Sequence, residues 1–372
     1  MIVGLLFQIL TVIVLFQLVF ISVFLITNRK GRRISNLLLA AFFLSLTAGL
    51  TDFALLQLKV FDTYFQYAFL LNSLVIFHAP LLLLYVQSVT NTDFRLKAIH
   101  LLHSGGFLLS VGLLIPFYYT KPPEVQQYVI EGVQKGDASV FIIISIVGLL
   151  YELGYLAAVK IELNAYDKKI KERFSNIDQI HLSWLRYMVN IFIVSFIAST
   201  IASTIRHTTL DHLDEAGVIL ALIGFFFMIN SVLLKGLHQN EIFLGLPSKS
   251  SLNKMDQSEV AELIQNLQQH LQSKKPYLNP DITINQLAEQ LKVGPRDLSN
   301  AINSELGQSF FDLINRYRIE EAKKEIKQSV DPKETILEIM YRVGFNSKSS
   351  FNTAFKKYTG TTPSTYKAEI SS

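Results

Sequence analysis

The sequence predicts an all-α protein made of two parts that have different surroundings. From Met1 to about Leu237, apolar runs recur with the length of about 20 residues that a helix needs to cross a membrane core. After about Lys249, charged residues become dense and apolar residues recur three and four positions apart. We therefore predict a seven-helix transmembrane bundle at residues 1–237, a linker at 238–257 and an all-α domain at 258–372.

Seven apolar runs predict the seven spans. They lie at about 2–27, 35–57, 66–89, 98–118, 138–159, 184–205 and 216–236. The first run is uncharged and is followed by basic residues, which is the reverse of the charge order in a cleavable secretory signal. We expect this run to remain as a span with its N-terminus outside.

The charges of the loops predict the orientation of the bundle, because Lys and Arg in short loops favour the cytoplasmic side. Predicted inner loops carry eleven basic residues, namely Arg29, Lys30, Arg32, Arg33, Arg95, Lys97, Lys160, Lys168, Lys169, Lys171 and Arg173. Predicted outer loops carry four, namely Lys59, Lys121, Lys135 and Arg206. An odd number of spans then places the second part in the cytoplasm, with the bundle in a bacterial inner membrane.

Three ionisable residues fall inside the predicted spans: Asp52, His78 and Glu152. An ionisable group in hydrocarbon is costly, so each is expected to face the bundle interior or water. Two interpretations remain open. The residues could form a ligand or sensor pocket, or they could hold the helices together by hydrogen bonds.

The second part contains an internal repeat. Thr283 with Gln286 and Thr335 with Glu338 match the capping box, in which two side chains satisfy the free amides at a helix start. The apolar faces that follow them are Ile284, Leu287, Ala288 and Leu291 in the first copy and Ile336, Ile339, Met340 and Val343 in the second. Two helices therefore begin at equivalent positions of the repeat.

A glycine follows each of these helices, Gly294 in the first copy and Gly344 in the second, and we expect a tight turn at each. A second amphipathic helix follows each turn. Two helices joined by a short glycine-containing turn form a helix-turn-helix, so the sequence predicts two such motifs at about 283–304 and 335–357.

The segment 281–367 carries a long pattern across both motifs. Its two parts are INQLAEQLKVGPRDLSNAINSELGQSFFDLINRYRIEEAKKEI and TILEIMYRVGFNSKSSFNTAFKKYTGTTPSTYK. This pattern resembles the DNA-binding domain of AraC/XylS-family transcription regulators. The sequence departs from it at Thr353, where many members carry a basic residue, and at Lys367, where arginine is usual. The resemblance implies binding to double-stranded DNA and puts the membrane bundle where soluble members carry a sensing or dimerisation module.

The outward residues of the second helix in each motif are candidates for DNA contact. Arginine suits a guanine edge and asparagine an adenine edge, whereas lysine and hydroxyl side chains suit phosphates. The candidates are Arg296, Ser299, Asn300 and Asn303 in the first motif and Ser347, Lys348, Ser350, Asn352, Thr353 and Lys356 in the second. Five basic residues and no acidic one lie between Ile339 and Ala368, which predicts a positive surface. Arg316 and Arg318, between the motifs, could contact DNA or pair with acidic neighbours.

Together these features predict a membrane-embedded, sequence-specific transcription regulator that couples a signal sensed in or outside the membrane to gene expression. Its expected partners are double-stranded DNA, the lipid membrane and a small-molecule or membrane signal, and a homodimer is one candidate assembly. The sequence carries no G-x-S-x-G, H-E-x-x-H, P-loop or dinucleotide fingerprint and no cysteine, so we expect neither an enzyme nor a cofactor. A transporter with a regulatory tail and a helix-turn-helix used only for protein contact remain as alternatives.

Overall fold

The computed structural model describes residues 2–28, 31–135, 139–178, 180–205, 214–238, 256–328 and 334–371. Every regular element in these ranges is a helix, so the predicted all-α class is confirmed. The chain divides into two compact units. We call residues 1–164 with 182–248 the apolar unit, and residues 165–181 with 249–372 the helix-turn-helix unit. The predicted linker lies almost entirely outside the described residues.

The apolar unit is built from long helices. They are α1 (Ile2–Thr27), α2 (Arg33–Gln57), α3 (His78–Thr90), α4 (Gly105–Leu114), α5 (Pro123–Lys135), α6 (Ser139–Arg173, whose last residues belong to the other unit), α7 (Ser183–Ile205) and α8 (Asp214–His238). Six helical stretches of the described residues are long and apolar enough to cross a membrane: Leu6–Thr27, Arg33–Gln57, Phe65–Thr90, Ala98–Tyr119, Ser183–Ala202 and Gly217–Leu234. The fifth predicted span, at 138–159, falls within α6 and partly outside the described residues, so it remains a prediction.

The third and fourth predicted spans are not continuous α-helices. The third contains a 3₁₀ stretch at Asn72–Phe77 before α3 begins, because Pro80 has no amide to continue a regular helix through this point. The fourth changes from a 3₁₀ stretch to α4 and then to a π-helical turn at Ile115–Tyr119. Hydropathy predicted the length of these spans but not their breaks.

Large apolar side chains cover the surface of the apolar unit. Phe16 is 70% exposed, Leu102 72% and Phe117 70%. Inside the unit, small residues bring helices close together: a Cβ on Gly224 would clash with Ser195 Oγ on the neighbouring helix. An apolar exterior combined with small residues at helix contacts is typical of helices packed in lipid.

Two groups of hydrogen bonds join different loops of this unit. Arg32, just before α2, donates to the carbonyl oxygens of Ser88 at 2.9 Å and Asn91 at 2.8 Å, around the end of α3. Tyr118 and Tyr119 donate to the carbonyl oxygens of Phe65 at 2.6 Å and Ala68 at 2.9 Å. The first group joins two loops predicted to be inner, and the second joins two segments near predicted outer loops.

Seven further helices form most of the helix-turn-helix unit: α9 (Gln257–Lys274), α10 (Ile284–Leu291), α11 (Pro295–Leu306), α12 (Phe310–Gln328), α13 (Ile336–Arg342), α14 (Lys348–Thr359) and α15 (Pro363–Ser371). They enclose two apolar cores. The first contains Leu267, Leu287 and Ile302, and the second contains Ile339, Phe351 and Phe355. The start of α12 packs in the first core and its later part in the second, so one helix connects both motifs.

Both predicted capping boxes are confirmed. Thr283 Oγ1 accepts from the Gln286 amide at 3.3 Å, and Gln286 Oε1 accepts from the Thr283 amide at 2.9 Å. In the second copy, Thr335 Oγ1 accepts from the Glu338 amide at 3.2 Å, and Glu338 Oε2 accepts from the Thr335 amide at 2.7 Å. These local bonds start α10 and α13 where the sequence predicted.

The two turns differ in the residue that adopts the left-handed conformation. Gly344 has a φ of +93°, as expected for a tight turn. In the first motif the short turn is also present, but Lys292 takes the left-handed position with a φ of +56° and Gly294 has a φ of −69°. Gly294 instead serves as the N-cap of α11, ahead of Pro295.

Candidate DNA-binding site

Helix α14 has one polar outward face and one buried apolar face. Phe351 and Phe355 are buried in the second core, as predicted from the repeat. Ser347 Oγ accepts from the Ser350 amide at 3.2 Å and so caps the helix. The other candidates lie on the outer face: Lys348, Thr353 and Lys356 are exposed, and Ser350 and Asn352 are half-buried.

Helix α11 has the same division between buried and outward faces. Leu298, Ala301 and Ile302 are buried in the first core. Arg296, Asn300 and Asn303 are exposed, and Ser299 is half-buried. Asn303 Nδ2 donates to the Ser299 carbonyl oxygen at 2.9 Å, so its amide is held along the helix. The candidates of the first motif therefore lie on one exposed helix.

The positive surface predicted around α14 is smaller than the sequence count indicates. Arg342 pairs with Glu325 at 2.7 Å and Glu334 at 2.5 Å. Lys357 pairs with Asp312 at 2.6 Å, a hydrogen bond that raises the pKa of Lys357. Within the described part of the chain, Lys348 and Lys356 form no ion pair. These two lysines therefore supply the uncompensated charge of the second motif.

Arg318 has a structural role. Its side chain is 1% exposed, and its guanidinium donates to the carbonyl oxygens of Tyr277 at 2.7 Å, Asn279 at 2.8 Å and Pro280 at 3.1 Å. Burial lowers its pKa to about 10, which leaves it charged at neutral pH. Neither alternative left open by the sequence, DNA contact or pairing with an acidic neighbour, describes Arg318, because it is buried and backbone carbonyls are its main acceptors. Arg316 is exposed and lies over the Tyr317 ring.

A partly buried carboxylate makes the stability of this unit depend on pH. Burial raises the pKa of Glu321, but the hydrogen bond to Lys275 at 2.5 Å, the charges of Lys275 and Lys324 and the hydrogen bond from Tyr277 together outweigh it, so the pKa lies below the ordinary 4.5. The contribution of this group to stability is therefore complete above pH 4.5 and lost as pH falls through the lowered pKa. We expect Glu321→Gln to reduce the acid sensitivity of hydrogen exchange in α12. Glu320→Gln, on the exposed side of the same helix, is the control, and an equal effect of both changes would contradict the assignment.

The three ionisable residues of the apolar unit are buried as expected. Asp52 is 4% exposed, His78 6% and Glu152 3%. Across the described residues, none of the three pairs with another, and both carboxylate oxygens of Glu152 and both ring nitrogens of His78 have no hydrogen-bond partner. Asp52 lies beside the backbone of Asn72, and Glu152 beside that of Ala79, the residue after His78. Among the described residues, the structure therefore shows no side-chain hydrogen bond that joins any two of these three residues.

Sequence reasoning missed two residues of the helix-turn-helix unit. Ser175 and Asp178 follow α6, far from the motifs in sequence, yet they contact Arg318 and Ser350 respectively. No local pattern in the sequence marks these contacts, because they join residues more than 140 positions apart.

Comparison with known proteins places this unit in a family. The helix-turn-helix domain family matches residues 287–369. A helix-turn-helix transcriptional regulator from the cgkA 5′ region of Pseudoalteromonas carrageenovora is 31% identical over 138 residues, which cover 34% of this chain and 78% of that protein. A regulator of Staphylococcus aureus strain COL is 27% identical over 164 residues, or 44% of this chain, but this chain spans only 19% of its length.

Among solved structures, the C-terminal domain of AraT, a response regulator from Geobacillus stearothermophilus, is 34% identical. The match covers 29% of this chain and 84% of the solved chain, with a TM-score of 0.26. The matching family and the relatives define a helix-turn-helix transcription regulator. The chain belongs to the helix-turn-helix transcriptional regulators that carry an AraC-type DNA-binding domain.

Proposed function

We propose that this regulator is embedded in the bacterial inner membrane and couples a signal sensed in or outside the membrane to sequence-specific DNA binding. The observation that carries the proposal is the union, in one chain, of helices with an apolar exterior and a double helix-turn-helix. Large exposed side chains such as Phe16 and Leu102 would be costly in water and favourable in lipid.

The proposed orientation has the start of α1 outside and the DNA-binding helices in the cytoplasm. The excess of basic residues in predicted inner loops supports it. So does the composition of the helix-turn-helix unit, because residues 165–181 belong to it and carry four of the inner-loop basic residues, Lys168, Lys169, Lys171 and Arg173. Segments of one compact unit must lie on the same side of a membrane.

On the DNA side, α11 and α14 are proposed as the two reading helices. Arg296, Asn300 and Asn303 would face base edges from α11, and Asn352 would do so from α14. Lys348 and Lys356 would bind phosphates, with the hydroxyls of Ser299, Ser350 and Thr353 beside them. Ser347 would act through the helix start that it caps.

On the signal side, Asp52, His78 and Glu152 are the proposed sensor residues. Each is buried and has at least one polar atom without a partner among the described residues. A buried polar atom without a partner is costly, so a site of this kind gains stability when a ligand or a helix shift satisfies it. The signal would then change how the DNA-binding unit, or a homodimer of it, meets paired sites.

The test is selection from a random duplex library by the full-length protein in lipid nanodiscs. We expect enrichment of a motif with two half-sites about one helical turn apart. Asn352→Ala is expected to relax the preference at one base position, at a cost of about 1–3 kcal/mol. Lys356→Ala is expected to weaken binding to all sequences and to lower the salt slope by about 1.

Lys327→Ala is the matched control, because Lys327 is an exposed lysine at the end of α12, outside both reading helices. It should leave affinity and salt slope unchanged. Lack of enrichment at low salt, or an equal effect of Lys327→Ala and Lys356→Ala, would argue against the proposed reading helices.

A further inference from the structure

Residues 174–178, which follow α6, pack on the DNA-binding helices, and we call them the docked loop. Ser175 Oγ donates to the Ile282 carbonyl oxygen at 2.7 Å and accepts from Arg318 Nη2 at 3.2 Å. Phe174 forms an isolated antiparallel bridge with Thr283, the cap of α10. Ser175 and Ile177 are buried, so the loop is held by specific contacts beside the first motif.

The other end of the docked loop reaches the second motif. Ser350 Oγ donates to Asp178 Oδ1 at 2.5 Å. Asn176 Oδ1 accepts from the Asp178 amide at 3.2 Å, a local turn that fixes the backbone before the carboxylate. Ser350 is the third residue of α14 and one of the proposed DNA contacts. The loop therefore places a negative charge at the start of a proposed reading helix.

A carboxylate at the first turn of α14 occupies the position in which a DNA phosphate would bind. The first turn of a helix has free amides and a positive dipole, so it attracts anions, and DNA phosphates are commonly bound there. Asp178 accepts the single hydroxyl hydrogen of Ser350 and adds a charge that repels phosphate. A duplex could not bind this end of α14 without displacing the carboxylate.

We propose that the docked loop is an internal competitor of DNA, in which Asp178 takes the place of a backbone phosphate at α14. The proposal rests on the proposed function, since it requires α14 to bind DNA. The loop lies between α6 and α7 in the chain, so a signal that shifts the ends of these helices would change how readily the loop is released. Release of the loop is then the step that exposes the second motif.

The chain has no cysteine, which allows a direct test in the full-length protein. Asp178→Cys combined with Ser350→Cys should form a disulfide under mild oxidation in nanodiscs. With the labelled duplex enriched above as probe, the oxidised protein should bind at least roughly tenfold more weakly than the reduced protein, and reduction should restore binding. In the protein without cysteines, Asp178→Asn should bind that duplex about tenfold more tightly than the wild type.

Two matched controls accompany these variants. Asp178→Cys with Thr359→Cys places the second thiol at the far end of α14, about 13 Å along the helix, beyond the reach of a disulfide. Glu172→Gln removes the same charge from α6, before the docked loop, and should leave DNA affinity unchanged.

The cross-link tests whether the loop docks, and the DNA affinities test whether it competes with DNA. Failure of the Asp178–Ser350 pair to cross-link would overturn the docking of the loop. Cross-linking without a change in DNA affinity, or an Asp178→Asn variant that binds no more tightly than Glu172→Gln, would overturn the competition. If no form binds any duplex, DNA reading itself fails and the competition fails with it, while the cross-link yield still reports separately whether the loop docks.

Discussion

Replacement of Arg318 by methionine is expected to destabilise the helix-turn-helix unit by about 3–5 kcal/mol, because it leaves several buried acceptors without a donor. Methionine keeps much of the side-chain volume but cannot donate to the carbonyl oxygens of Tyr277, Asn279 and Pro280. The loss can be measured by hydrogen exchange of this unit in the full-length protein in detergent micelles.

Arg316→Met provides the control for that measurement. Arg316 lies on the same helix but is exposed, so the same chemical change removes no buried hydrogen bond. We expect an effect within about 0.5 kcal/mol of the wild type. Equal exchange in the two variants would mean that the guanidinium of Arg318 does not hold the segment before α10.

Replacement of Gly344 by alanine is expected to have an effect of similar size at the second motif. The residue has a φ of +93°, and an added Cβ would lie 2.7 Å from the Tyr277 carbonyl oxygen and 2.8 Å from that of Leu278. Because both atoms belong to the backbone, they cannot move aside as a side chain does. Strain and overpacking together should cost roughly 2–6 kcal/mol, measured by the same exchange experiment on α13 and α14.

Gly360→Ala separates the two causes. Gly360 also has a positive φ, of +82°, but an added Cβ would meet nothing within 4 Å. Its substitution should therefore cost only about 1 kcal/mol, the conformational part of the penalty. If both variants lose the same stability, the close approach of Gly344 to the segment 277–278 carries no energetic weight.

The parts of the fold that the sequence predicted correctly depend on short-range chemistry. The capping boxes of Thr283 and Thr335 are complete within four residues, so their pattern is sufficient to locate the starts of α10 and α13. The burial of Phe351 and Phe355 likewise follows from helical spacing alone. The candidates on α11 and α14 are the polar residues that remain once these buried faces are assigned.

The parts that it did not predict depend on contacts between distant residues. Glycine is the usual residue for a left-handed turn, but Lys292 adopts that conformation in the first motif and leaves Gly294 extended. The charge of Arg342 is neutralised by Glu325 and Glu334, which a count over one segment does not include. The position of Asp178 beside Ser350 joins residues 172 apart in sequence, and spacing rules do not reach that far.

The shared helix α12 also determines how the two motifs can come apart. Its first turns are covered by the core of one motif and its later turns by the core of the other. Unfolding of either motif would expose one end of α12 to water. It would thereby destabilise the helix against which the other motif packs. The pair should therefore behave as one cooperative folding unit, and heat would unfold both proposed reading helices in a single transition without an intermediate that retains one of them.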